Sequence, residues 1–510
     1  MLHVQDLTLI HKKDLTTLME GISFSVSPGE RLALIGEEGN GKSSLLRAIL
    51  RDESLDGYIE QRGRIVNSFR TGYLPQELPA ACRSMSAYEY FCEDPVFYDQ
   101  TPRRLGELAA RLALPADVFY SEQPMSAFSG GERVKLQLAR LMMRDPELLL
   151  LDEPTNDLDG DTVRFLTSFL LSCGLAVLFV SHDETLLSKA ATGVILLERL
   201  RRRQVPRASV CRQGYEEFVK SRSDLFAHQA QVARKEREEF SKKMQRYNQI
   251  RQRVEHEQNA ISRRDPYGSR LLKKKMHTVM SMGRRFERES QEMTAMPENE
   301  EAIFARLCCQ PLPPGKVVLD LDLNALCVGE RVLARNLHLC VRACEKICIT
   351  GRNGAGKSTL LRHIHDLLKN RADLNVFYMP QDPGDLLDMD KTPIEMLTIT
   401  GGKDEQVRSA VALGSMKFTG EEMNHPCRGL SGGQKAKLMF LMMAASGADV
   451  LLLDEPTRNL SPLSGPVIRA LFDDYPGCII AVSHDNRLIS TVCSREARLT
   501  ENGLELHEIG

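Results

Sequence analysis

Gly36-Glu37-Glu38-Gly39-Asn40-Gly41-Lys42-Ser43 and Gly351-Arg352-Asn353-Gly354-Ala355-Gly356-Lys357-Ser358 are two glycine-rich octets of one pattern. Each follows a short apolar run, Arg31-Leu32-Ala33-Leu34-Ile35 in the first case, and each opens a segment of helical period. Strand, glycine turn and helix in that order fit a phosphate-binding loop. The glycines let backbone N–H groups converge on an anion, the lysine adds positive charge, the hydroxyl suits Mg2+, and the helix N-terminus contributes a favourable dipole. A single octet could be an ordinary glycine turn; two in the same context make nucleotide phosphates the expected ligand. The candidate binding residues are Gly36, Gly39, Gly41, Lys42, Ser43 and Ser44 in the first copy, and Gly351, Asn353, Gly354, Gly356, Lys357, Ser358 and Thr359 in the second.

Outward from these loops, other motifs also recur in order. Lys42 returns as Lys357 at an offset of 315, and Asp152 and His182 return as Asp454 and His484 at an offset of 302. Two homologous domains explain this pattern. Within each copy short apolar runs, such as Leu148 to Leu151 and Val177 to Val180, alternate with helical segments, which predicts an α/β fold with a largely parallel sheet covered on both faces. The runs ending in Asp152-Glu153 and Asp454-Glu455 place a carboxylate pair at the end of a buried strand. Asp152 and Asp454 suit the metal, and Glu153 and Glu455 suit polarisation of the attacking water. Helix capping is the competing role for such acids.

A chain of 510 residues at about 150 per domain suggests roughly three folding units. Its 42% hydrophobic and 27% charged residues exclude wholesale disorder, a collagenous chain and a membrane chain. No run approaches the roughly 18 apolar residues of a membrane span, and the first residues do not read as a signal peptide, so a cytoplasmic protein is expected. The 13 cysteines include no Cys-x-x-Cys pair, and Cys340, Cys344 and Cys348 read as small thiols rather than metal ligands.

Between the copies, from about Tyr215 to Met296, the period changes. Apolar residues fall seven apart at Phe240, Tyr247, Val254 and Ile261, and again at Leu272, Val279, Phe286 and Met293. Two long amphipathic helices fit that spacing, with Asp265-Pro266-Tyr267-Gly268 at the turn between antiparallel arms. The expected division is 1–205, 206–300 and 301–510. Residues 241–290 hold 14 Lys or Arg against 5 Asp or Glu, a net of +9, whereas the whole chain carries −2. Arg263, Arg264, Tyr267, Arg270, Lys273, Lys274 and Lys275 around the turn form a footprint suited to RNA phosphates and a stacked base. A solvated helical surface is the plainer reading of such a run, and the segregation of charge favours the former.

Phe128-Ser129-Gly130-Gly131-Glu132 and Leu430-Ser431-Gly432-Gly433-Gln434 resemble the signature sequence of ATP-binding cassette ATPases. Gln76 and Gln381 match that superfamily's glutamine loop, and His182 and His484 its switch histidine. The resemblance implies ATP and Mg2+ as cofactors and a head-to-tail pair of cassettes, each ATP lying between one phosphate loop and the opposite signature. Lys42, Asp152, Glu153 and His182 would then work with Ser431, Gly432 and Gly433, and Lys357, Asp454, Glu455 and His484 with Ser129, Gly130 and Gly131. It further implies that Glu153, Glu455, His182 and His484 are catalytic, that Ser43, Gln76, Asp152, Ser358, Gln381 and Asp454 hold the metal, and that ATP closes the clamp while hydrolysis releases it.

Three departures from that pattern stand out: two point to inequivalent sites, and the third, the lack of a clear aromatic where the superfamily often stacks adenine, bears on base selectivity. Glu38 stands where the second loop has Asn353, and an acid near phosphates must point away or meet a cation. The loop Thr155 to Asp159 has a counterpart ending in Ser461, and since that loop would face the nucleotide at Lys42, the slower site is expected there. His11 is the candidate to stack on adenine in the first half, and the second half shows none. Two cassettes on one chain, joined by a charged helical hairpin and lacking a membrane domain, resemble the ABC-F subfamily. That resemblance implies a monomer with an intramolecular cassette pair that acts on the ribosome through linker contacts to ribosomal RNA and tRNA. Translation and protection against antibiotics are the activities it implies. The ATPase subunit of a transporter with separate membrane chains is the alternative, which leaves the hairpin without a purpose. A DNA-maintenance ATPase would call for zinc-binding cysteine pairs or far longer coiled coils.

Overall fold

The computed structural model describes residues 1–156, 158–199, 205–260, 266–294, 307, 309, 312, 313, 315–329, 331–398, 401–458 and 460–509, excepting the side chains of 258–260, 266–269, 291 and 292. Two compact units emerge, one formed by Met1–Tyr215 with Glu300–Gly510, the other by Glu216–Asn299.

In the first copy the strands are β1 (Leu2–His11), β2 (Thr17–Val26), β3 (Arg31–Gly36), β4 (Ile59–Asn67), β5 (Thr71–Leu74), β6 (Leu148–Asp152), β7 (Ala176–Val180), β8 (Gly193–Arg199) and β9 (Val205–Cys211). They build an antiparallel sheet, β2-β1-β4, and a six-stranded sheet, β5-β6-β7-β3-β8-β9, parallel except at β8/β9. The second copy has β10 (Val317–Val328), β11 (Arg331–Arg342), β12 (Lys346–Gly351), β13 (Val376–Met379), β14 (Val450–Asp454), β15 (Cys478–Val482), β16 (Arg495–Thr500) and β17 (Gly503–Glu508). Its main sheet, β13-β14-β15-β12-β16-β17, repeats the order of the first, and β10 and β11 form a hairpin.

Leucine favours helices, yet Leu148 to Leu151 form a strand whose every residue is buried. The run is too short for a helix, ends at Asp152-Glu153-Pro154, and is covered on both faces. The helix Lys42–Leu50 supplies part of that cover through Leu45, Leu46 and Ile49, as Leu360, Leu361 and Ile364 of Lys357–Leu368 do in the second copy. The phosphate loops leave the C-terminal ends of β3 and β12, which lie beside β7 and β15, and β6 and β14 come next. Residues more than a hundred positions apart therefore converge at one sheet edge, where open α/β sheets bind ligands.

The first cassette runs past residue 205, the boundary expected from sequence. Strand β9 pairs antiparallel with β8 from Val194↔Cys211 to Arg199↔Pro206, and the long helix begins at Tyr215. The helical unit comprises Tyr215–Ala260, about 70 Å long at 1.5 Å per residue, and Pro266–Glu292. Tyr247, Val254 and Val279 are buried at its seam with Met244, Met276, Met282 and Phe286 packed against them. Phe286 meets Phe240 and Tyr247 edge-on, with ring centroids 6.3 and 5.7 Å apart. Ion pairs Lys243–Glu289 and Lys275–Glu257 fix the antiparallel register. Gly283 allows this packing, because a Cβ there would lie 2.6 Å from the Tyr247 hydroxyl.

Candidate nucleotide site

Both phosphate loops are shaped as anion receptors by their own backbone. Gly41 and Gly356 cap the following helices in the left-handed conformation with no side-chain acceptor on the first amides, which leaves these donors for an external anion. Gly39 and Gly354, at φ 82° and 78°, need glycine for conformation rather than space. Lys42 Nζ donates to Gly36 O and Glu37 O at 2.9 and 3.0 Å, and Lys357 Nζ repeats this with Gly351 O and Arg352 O. Burial lowers the pKa of both lysines against the pull of nearby carboxylates. Two buried ammonium groups at helix N-termini fit a polyphosphate well.

The carboxylates stand opposite. Asp152 Oδ1 accepts from Ser43 Oγ at 3.0 Å and its Oδ2 from the Tyr73 hydroxyl at 3.2 Å. Asp454 Oδ1 accepts from Ser358 Oγ at 3.1 Å, whereas its buried Oδ2 has no hydrogen-bond partner. Burial raises the pKa of both aspartates. A hydroxyl, a carboxylate and an orphaned oxygen fit Mg2+, which takes one or two protein carboxylates and completes its shell with phosphate and water. Among the described residues no group of three or more His, Cys, Asp or Glu could hold a metal without such help.

Glu153 and Glu455 both sit at positive φ, 48° and 51°, an uncommon conformation for a non-glycine residue and one found at active sites. Their surroundings differ. Burial pushes Glu153 up, but a hydrogen bond with His182, the charges of His182 and Lys42, and the Asn156 amide outweigh it and hold the carboxyl at about 2. Its Oε2 accepts from Gln76 at 3.0 Å and Asn156 at 2.7 Å, and its Oε1 lies 3.3 Å from His182 Nε2. Glu455 is raised to about 7 by burial, against a weak bond from the His484 amide at 3.4 Å and the charge of Lys357. Burial and the charge of Lys357 lower His484 to about 4.

The cassettes meet head to tail. His182 Nδ1 lies 2.7 Å from Leu460 O, the amide of Gly433 donates to Glu38 Oε2 at 3.0 Å, and Lys437 pairs with Glu37. In the opposite direction Asp159 acts electrostatically on Lys357 and His484. Glu184 receives both guanidinium nitrogens of Arg469, at 2.7 and 3.1 Å, and Arg487 at 3.1 Å. A cavity of about 1000 Å³ runs between the cassettes. It is lined by Gly39, Gly41, Lys42, Ser43, Ser44, Gln76, Gly130, Glu153 and His182, and by Asn353, Gly354, Gly356, Lys357, Ser358, Thr359, Gln381, Asp454, Glu455 and His484.

Other expected site residues lie apart from the cavity wall. Gly36 and Gly351 pack on the backbone of Leu197 and Leu499. Ser129 and Ser431 are helix N-caps in capping boxes with Glu132 and Gln434, so these hydroxyls are committed locally; Ser-x-x-Glu and Ser-x-x-Gln already spelled that role. Gly131 gives room to Thr162, and Gly432 begins the second signature helix. Sequence reasoning missed Tyr58, which lines the cavity beside His11, the Glu37–Lys437 pair and the Glu184 cluster. On the second helix Arg270, Lys273, Lys274 and Lys275 are exposed and Tyr267 lies near its start, while Arg263 and Arg264 fall outside the described residues.

Comparisons with known proteins agree with this architecture. A family described as ABC transporter matches residues 19–156 and 334–458. The ATP-binding protein Uup of Buchnera aphidicola is 25% identical over 95% of this chain and 78% of its own. The ribosome protection protein VmlR of Bacillus subtilis is 27% identical over 96% and 85%, and human ATP-binding cassette sub-family F member 3 is 27% identical over 95% and 69%. Among solved structures, the archaeal ribosome recycling factor aABCE1, in complex with the ribosomal stalk protein aP1, superposes with a TM-score of 0.60 at 16% identity, covering 98% of this chain and 89% of that one. That likeness bears on the fold.

Proposed function

This chain belongs to the ATP-binding cassette family, in its twin-cassette ABC-F group, and we propose that it is an ATPase that binds the ribosome and acts on translation, ribosome protection included. ATP would lie between each phosphate loop and the opposite signature helix, with Lys42 and Lys357 holding its β and γ phosphates. Ser43 with Asp152 and Gln76, and Ser358 with Asp454 and Gln381, would hold Mg2+, which neutralises charge on the phosphoryl group in transfer. Glu455, and more slowly Glu153, takes a proton from the water that attacks phosphorus, giving ADP and phosphate; His182 and His484 orient that carboxylate and its water. Closure would be strongest with triphosphate, and loss of the γ-phosphate would release the cassettes.

The observation that carries the ribosome reading is the concentration of positive charge on the hairpin between two cassettes, against a net negative remainder. A relative whose name states ribosome protection supports the same reading. No described helix is long and apolar enough to cross a membrane. Arg263, Arg264, Tyr267, Arg270 and Lys273 to Lys275 would contact RNA, in a cytoplasmic, monomeric protein. Charge reversal of Lys273, Lys274 and Lys275 to Glu tests this by co-sedimentation with ribosomes. Binding should fall at least about tenfold and weaken steeply with added salt in the parent; unchanged, salt-indifferent binding would defeat the reading.

A further inference from the structure

The first phosphate loop carries two adjacent acids that the second lacks: Glu37 and Glu38 stand where the second loop has Arg352 and Asn353. Both reach the other cassette. Glu38 Oε2 accepts from the Gly433 amide at 3.0 Å, and Glu37 forms an ion pair with Lys437 whose side chains are only 9% and 3% exposed. The matching lysine of the first signature helix, Lys135, stays within its own cassette, donating to Ala113 O and lying over the Phe165 ring. The contact is therefore a property of one site.

Glu38 also acts electrostatically on Lys42. Its carboxylate thus holds an amide of the opposing signature within electrostatic reach of the phosphate-loop lysine, the amide being a donor that a terminal phosphate would meet in a closed clamp. We propose that Glu38 is a built-in surrogate for the terminal phosphate, so that the first site holds a nucleoside diphosphate with the cassettes closed, while the second site needs a triphosphate. The inference rests on the closed-clamp reading above. A triphosphate entering the first site must displace Glu38 from Gly433 and bring its extra charge against two acids. A diphosphate leaves the latch intact. Ligands shift a conformational equilibrium only by their difference in affinity for its states, so ATP and ADP should differ little at the first site and strongly at the second.

The test uses the full chain carrying Lys357→Ala to silence the second site and Glu153→Gln to stop turnover at the first, with one fluorophore on each cassette reporting closure. ADP and ATP titrations should give closure midpoints within about threefold of each other. Glu38→Asn, which installs the residue of the second loop, should shift the preference toward ATP by at least about tenfold, and the charge-neutral Glu38→Gln should shift it the same way. A tenfold ATP preference with Glu38 intact, or a ratio unmoved by both substitutions, would overturn the inference. So would a first site that closes with neither nucleotide while the form with both sites intact closes with ATP. Failure of that intact form to close would instead remove the clamp reading, and this inference with it.

Discussion

At Glu455, burial raises the carboxyl to about 7, whereas at Glu153 His182, Lys42 and Asn156 outweigh burial and hold it at about 2. A general base works in its deprotonated form and best with a pKa near the working pH. With Glu153→Gln leaving the second site alone, turnover should rise about tenfold per pH unit below 7 and level off above about 8. With Glu455→Gln it should be slower and nearly flat from pH 6 to 8, since Glu153 stays ionised throughout. Steady-state ATPase profiles of the two variants decide this; identical profiles would mean that the two environments do not set the rates. These residues were legible in the sequence because a phosphate loop and an acidic strand end are local patterns. Their difference was not, since it arises from Asn156 and His182 folding back onto one buried glutamate while burial prevails at the other.

On the scale of elements, the seven-residue spacing in the linker translated directly into a seam, because two helices can bury apolar rows only at that period. Val254→Asp with Val279→Asp places charge in the seam and should splay the arms: helicity by circular dichroism falls, ribosome binding is lost, and ATP binding by the cassettes persists. Loss of nucleotide binding as well would show that the hairpin is needed to fold the cassettes. The cassette contact was illegible by comparison. Glu184, Arg469 and Arg487 belong to helices nearly three hundred residues apart, no local pattern marks them, and only the fold brings them together. Removing one partner of a buried ion pair leaves an uncompensated charge, so Glu184→Ala should cost about 3 kcal/mol and lower the melting temperature, measured by thermal shift. A shift no larger than that of Lys369→Ala, at an exposed pair, would count against it. Strand β9 shows another limit: Val205–Cys211 is too polar to announce a strand and is one because β8 offers it an edge.

Taken as a whole molecule, the chain uses one sheet topology twice and spends its sequence differences on making the copies unequal. The first site has an acid pair in its loop and Ser461 facing it; the second has Arg352, Asn353 and Asp159. Net positive charge is concentrated on the hairpin while the rest of the chain is net negative, so that nucleotide and RNA would be bound by different parts of one chain. On this reading triphosphate-bound cassettes and the basic hairpin act together on the ribosome. Co-sedimentation of the Glu153→Gln, Glu455→Gln double variant with ribosomes, with and without ATP, tests it most directly. Association should be stable and should require ATP, because the cassettes bind triphosphate and cannot turn it over. Association equal in the presence and absence of ATP, or none in either case, would contradict it.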